Sequence, residues 1–295
     1  RDWSVTGVQT CALPIFYRIS EEIGLWQMHF VRSIMALTLI GALSALGFGT
    51  LRPKRLGTVV IRSALVATSM LLYFGSLAFL PIAQSLAGLF TSPIWVLVIS
   101  AIALKIPVGP VRVVAVAFGF AGTLMVLQPD PANLSPVTLM PVAAGLLYAL
   151  GALATRRWCL EETTLCLLAG FMGILGLWGL IGLGTLTMFP QTVPDGPDGF
   201  LIRGWVPISP IIWGLIIMQA IGSVIGVGLI IKAYQLGETS YVAVFEYAVI
   251  LFASFFAYIF FGQLLNPLAV LGVVLVIAGG SLIALRSRPA VASVP

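Results

Sequence analysis

One carboxylate in this chain stands where a carboxylate is costly. Glu246 interrupts the apolar run Tyr241-Val242-Ala243-Val244-Phe245-Glu246-Tyr247-Ala248-Val249-Ile250. At about 1.5 Å of rise per residue it lies roughly 10 Å in from the end of a helix. An ionisable side chain in hydrocarbon must face a cavity or a partner. There it could receive an amine-bearing or cationic substrate, or take up a proton as a cavity changes sides. The competing reading is a carboxyl group that only hydrogen-bonds a neighbouring helix. Gln84, Gly88, Thr91 and Trp95 follow at steps of four, three and four, which places them on one helical face that could line a cavity. Pro93 beside them lacks a backbone donor and opens the carbonyl four residues back, so a kink is expected there. Gln219 and Ser223 form an i, i+4 pair, and Tyr247, Ser254 and Tyr258 share another face. With Tyr73 and Tyr148 they could supply the few polar groups of an otherwise apolar binding site. Packing of helix on helix is the plain alternative for each small polar residue. His29 and Arg32, near a helix end, read as groups that reach for the membrane interface, and Trp26, Trp158 and Trp205 as interfacial anchors.

These groups do not assemble into catalytic chemistry. There is one histidine, the three cysteines lack paired metal-ligand spacing, and neither a Gly-rich phosphate loop nor a nucleophile and base occurs in sequence. The expectation is a protein that is not an enzyme and uses no metal or cofactor.

The elements that must position these residues are set by composition. Of 295 residues, 60% are hydrophobic and 8% charged, with mean hydropathy +1.10. A soluble domain carries about 25% charged residues, so this chain belongs in a bilayer and soluble enzymes and nucleic-acid readers are excluded. The net charge of +5 is dispersed in ones, twos and threes between apolar runs, where it sets orientation. Nine helices are predicted, at 28–49, 59–80, 83–105, 109–127, 136–156, 163–188, 208–232, 240–262 and 266–286, and each is near the roughly 20 residues that span hydrocarbon. Arg52, Lys54, Arg55, Arg62, Lys105, Arg112, Arg156, Arg157, Lys232, Arg286 and Arg288 fall on alternate connections. Those connections are therefore cytoplasmic, with the carboxyl end inside and residues 287–295 a cytoplasmic tail. The connections 130–136 and 190–207 read as solvated loops, the second partly covering the external mouth. Gly170, Gly173, Gly176, Gly179 and Gly182 in one helix, and Gly222 with Gly226 in another, are expected at close helix approaches.

Residues 1–15, RDWSVTGVQTCALPI, do not resemble any leader. Back-translation of Val5 to Ile15 is similar to a widely used sequencing adapter, so this stretch is read as adapter DNA running into an incomplete frame. An internal repeat bears on the same end. Tyr73 to Phe90 matches Ile230 to Tyr247, and Ala121-Gly122 matches Ala278-Gly279, both at an offset of 157. The helix at 136–156 then has its counterpart before residue 1. The expectation is an all-α integral membrane protein of two inverted five-helix repeats, 16–127 and 136–286, the first lacking its first helix, with ten helices when intact.

Pro93, Ile106 and Gly122, echoed at the same spacing by Ile250, Gln263 and Gly279, give the chain over 16–286 a resemblance to paired EamA domains of the drug/metabolite transporter superfamily. Arg32 in Phe30-Val31-Arg32 matches the arginine such domains commonly carry at the start of their second helix. Lys105-Ile106 and Gln263 stand where glutamate is usual, and Phe245-Glu246-Tyr247-Ala248 where a proline is usual. The resemblance implies a carrier in the bacterial inner membrane that moves a small metabolite, amino-acid-like or amine, by alternating access, typically as efflux. Glu246, Tyr247, Gln84, Thr91, Trp95, Gln219 and Ser223 are the expected substrate or coupling residues, with proton coupling and a homodimer both compatible. A channel or lipid flippase is the alternative, with an intramembrane enzyme further behind.

Overall fold

A computed structural model describes residues 18–133, 135–194, 196–261 and 265–286 of this chain. The adapter-like stretch, Gln263 and the tail from 287 lie outside the described residues. The described residues contain no strand, and 78% of the chain is helical. Eleven helices follow in order: α1 Leu25–Ala45, α2 Leu56–Ser76, α3 Ile82–Leu89, α4 Ser92–Ile102, α5 Pro110–Leu127, α6 Leu139–Trp158, α7 Thr164–Met188, α8 Pro210–Leu236, α9 Thr239–Glu246, α10 Ala248–Phe261 and α11 Pro267–Arg286. With α3 and α4 taken as one interrupted segment, eight spans are long and apolar enough to cross a membrane, and the shorter apolar pair α9–α10 is a ninth candidate. The chain is an all-α integral membrane protein.

Local chemistry explains where several helices begin. Thr163 accepts a hydrogen bond from the Cys166 amide at the start of α7, and Ser209 does so from Ile212 at the start of α8. Pro93, Pro110 and Pro210 occupy first-turn positions, where a missing amide costs nothing.

The main packing pairs are α5 with α11, α1 with α7, and α2 with α6. Glycine makes the first pair close. A Cβ on Gly122 would stand 2.5 Å from the Gly272 carbonyl oxygen, and one on Gly279 would stand 2.8 Å from that of Ala115. Along α7 the glycines divide between neighbours: Gly170 meets Val59 and Ser63 of α2, while Gly176, Gly179 and Gly182 meet α1. Gly173, Gly222 and Gly226 have nothing within 4 Å of a Cβ position. The close approach expected at Gly222 and Gly226 is thus absent among the described residues.

Element boundaries recur 157 residues on. Ile82–Leu89 becomes Thr239–Glu246, and the Pro110 that opens α5 becomes the Pro267 that opens α11. Contacts recur as well, since Gly122 against Gly272 is matched by Gly279 against Ala115.

Three sequence expectations need correction. The segments 83–105 and 240–262 are each two helices, broken at Phe90–Thr91 and at Tyr247. The first break adjoins Pro93, as expected, but the second has no proline. Tertiary contact accounts for it: the Tyr247 ring sits where a Cβ of Gly119 would be, and its hydroxyl donates to the Phe90 carbonyl at 3.1 Å. Arg62 is inside α2 and 4% exposed, donating to the Thr155 hydroxyl at 2.8 Å and the Leu167 carbonyl at 3.3 Å. It ties three helices and does not belong to a basic connection. Finally, the loop at 190–207 is more than solvated chain. Phe200 is fully buried, and Arg203 reaches under it to the carbonyls of Ser20 at 2.7 Å and Gly196 at 2.7 Å.

Candidate functional site

A chamber of about 730 Å³, open on the side of Leu229, Val249 and Phe252, lies beside the two helix breaks. The α2 and α6 helices supply Met70 and Tyr148, and the first break supplies Leu89, Phe90 and Ser92. The α8 wall is Gly226, Leu229, Ile230 and Ala233, and the second break brings Phe245, Glu246, Ala248 and Phe252. Its lining is apolar apart from a few groups, which is the usual constitution of a small-molecule site.

Glu246 is the last residue of α9, so the break turns its carboxyl toward the chamber and not along a continuous helix. The Tyr148 hydroxyl donates to Glu246 Oε1 at 2.7 Å, linking α6 to the break. The buried Tyr234 hydroxyl faces the same carboxyl group from α8. This carboxyl can accept a proton or face a cation, while the aromatic walls offer flat surfaces for stacking.

The structure scatters the other candidates. Tyr247 is fully buried at the contact with Phe90 and serves the break itself. Gln84 donates to the Asp130 carbonyl at 3.0 Å, away from the chamber. Gly88 packs on Pro141, and the Thr91 hydroxyl donates to the Gly88 carbonyl at 2.7 Å beside Gly145. Gly88 and Thr91 therefore meet α6, while Gln84 meets the connection before it. Trp95 is partly buried with an indole nitrogen lacking a hydrogen bond. Gln219 has a buried amide oxygen without a partner, and Ser223 lies one turn further along α8. Ser254 and Tyr258 line a separate cavity of about 380 Å³ with Leu265 and Val273.

Sequence reasoning missed the contribution of Tyr234 and Phe245, and it placed two basic groups at the interface that the structure buries. Arg32 is 5% exposed and His29 fully buried. Both turn inward onto Phe74 of α2, with the guanidinium carbon 5.4 Å and the imidazole 5.1 Å from its ring centre. Trp26 is likewise held from within, its indole donating to the Leu201 carbonyl at 2.8 Å, whereas Trp158 and Trp205 are exposed as anchors would be.

Known proteins resemble the chain at this level. A riboflavin transporter of Vibrio cholerae serotype O1 is 25% identical over 219 residues, 73% of this chain and 67% of that protein. A riboflavin transporter of Rhizobium johnstonii is 30% identical over 137 residues, 46% of this chain and 44% of the relative. One of Brucella anthropi is 28% identical over 181 residues, 60% of this chain and 61% of the relative. The chain thus spans between 44% and 67% of the length of these relatives. No family model matches it. A crystal structure superposes with a TM-score of 0.73 at 18% identity, covering 95% of this chain and 94% of the other, which shows the fold. These relatives are transporters and not enzymes.

Proposed function

We propose that this chain is a secondary transporter that carries a flavin-like metabolite, riboflavin first, through the chamber at Glu246. The Glu246–Tyr148 pair at the helix break carries the reading, because it puts one polar pole in an apolar chamber of about 730 Å³. A tricyclic aromatic cargo with a few polar edges fits such walls, and the relatives share the name riboflavin transporter. The recurrence at 157 residues supports two repeats of inverted orientation, the arrangement in which broken helices meet at a substrate site near the bilayer midplane. In that reading the basic connections are cytoplasmic and the membrane is the bacterial inner membrane, and the likeness to paired EamA domains of the drug/metabolite superfamily supports it.

A second reading, an amine or amino-acid-like cargo moved outward with Glu246 as its counter-charge or as a proton acceptor, rests on the same carboxyl. One assay separates the two. The full-length protein in proteoliposomes should take up labelled riboflavin saturably, faster when unlabelled riboflavin is trapped inside, with lumichrome competing and amines not. Competition by amines alone gives the second reading, unsaturable flux in both cases supports a channel, and transport of neither class ends the proposal. Loading from each side in turn reads the direction.

A further inference from the structure

In the first turns of α1, three neighbouring residues carry polar atoms with nothing to bond. His29, Arg32 and Ser33 stand at i, i+3 and i+4, so they share one face of the helix. All three are at least nine-tenths buried, and His29 Nε2, Arg32 Nε and Ser33 Oγ each lack a hydrogen-bond partner. The Arg32 Nη2 group donates to His29 Nδ1 at 3.1 Å. Because arginine only donates, that ring nitrogen accepts, and a neutral imidazole must then carry its hydrogen on Nε2. The free atoms are therefore two N–H donors and a hydroxyl. Phe74 closes one side, and Gly176 of α7, lacking a side chain, brings its backbone close to Ser33 on another. None of the ion pairs among the described residues includes Arg32.

A buried guanidinium without a carboxylate and with an idle donor is strongly unfavourable, and a negative group delivered to it would relieve that cost. N–H donors and a hydroxyl that can also donate, in a patch of net positive charge, favour acceptor oxygens over cations. We propose that Arg32 and Ser33 form a binding site for a small oxyanion, a carboxylate or phosphate oxygen held by Arg32 Nε and the Ser33 hydroxyl, with His29 Nδ1 fixing the guanidinium through Nη2. The site shares no lining residue with the Glu246 chamber and does not depend on flavin as the cargo. The anion is either free in solution or part of the carried molecule.

The test uses full-length protein in lipid nanodiscs and follows its thermal unfolding midpoint during titration with sodium phosphate and, separately, sodium acetate. Ionic strength is held with sodium methanesulfonate, whose oxygens are poor acceptors. The expected result is a saturable rise with phosphate or acetate. Arg32→Gln should weaken its apparent affinity at least about tenfold and Ser33→Ala about threefold. No saturable rise over methanesulfonate, or an unchanged affinity in Arg32→Gln, overturns the proposal. Should Arg32→Gln fail to fold, Arg32→Lys and Ser33→Ala carry the test, and unchanged affinity in both overturns it equally. Displacement of phosphate by flavin mononucleotide but not by riboflavin assigns the anion to the cargo, and displacement by neither assigns a free anion. Displacement by both places the flavin ring itself there and refutes an oxyanion site.

Discussion

The Tyr148–Glu246 hydrogen bond joins two helices through a single proton, so each partner can be removed without disturbing the other's shape. Tyr148→Phe deletes only the hydroxyl that donates at 2.7 Å. Hydrogen bonds to charged groups contribute about 1.5–3 kcal/mol, so substrate affinity in counterflow should fall about tenfold or more if the carboxylate is organised for cargo by that bond. Glu246→Gln keeps size and hydrogen bonding while removing the charge. Its flux should lose the pH dependence of the parent, measured as initial counterflow rates in matched buffers, and a parental pH profile would remove the carboxyl from coupling. Glu246 was legible in the sequence because a lone acid in an apolar run is conspicuous. Tyr234 was not, since nothing local marks which of several tyrosines will face an acid from another helix. Cys159, in the connection between α6 and α7, offers a different check. Burial pushes its thiol above the usual range, with Arg62 opposing. Iodoacetamide at neutral pH should therefore modify it slowly in the native protein and rapidly after denaturation.

At the scale of elements, the packing of α5 on α11 is set by glycine. Gly122→Ala forces a methyl group toward the Gly272 carbonyl, and α5 and α11 must separate. Overpacking of this kind costs about 1–3 kcal/mol, so the unfolding midpoint should drop. Gly173→Ala, with open space at its Cβ, should instead hold or raise the midpoint, because alanine favours helix by up to about 1 kcal/mol over glycine. Glu162 is another joint, its carboxylate accepting from the amides of Lys54 at 3.0 Å and Arg55 at 2.7 Å at the start of α2. Removing that acceptor in Glu162→Ala should cost about 1–3 kcal/mol, read in the same melt. Hydropathy made the spans legible to within a few residues, and Pro93 announced the first break. The break at Tyr247 escaped because its cause is a contact with Gly119 and Phe90 more than a hundred residues away, and Tyr-Ala in mid-helix carries no local signal. Arg62 misled for a related reason. Position near a helix end argues for an interfacial base, yet Thr155 and Leu167 supply its bonds from two other helices.

For the whole molecule, the recurrence at 157 residues leaves one relation without a counterpart among the described residues. The α6 helix packs along α2, α3 and α4, while the equivalent faces of α8, α9 and α10 are lined by exposed Leu229, Val249 and Phe252 and by the unoccupied glycines 222 and 226. Two polar ties bind the halves elsewhere: Arg112 forks onto Glu238, with Nη2 at 2.8 Å from Oε2 and the guanidinium over Tyr241, and Gln128 exchanges hydrogen bonds with Asn266. Tyr247 meets Phe90 as well, and these two residues also stand 157 apart. Were both phenylalanine, that contact would read the same from either side; the Tyr247 hydroxyl, which has no twin on Phe90, makes it uneven.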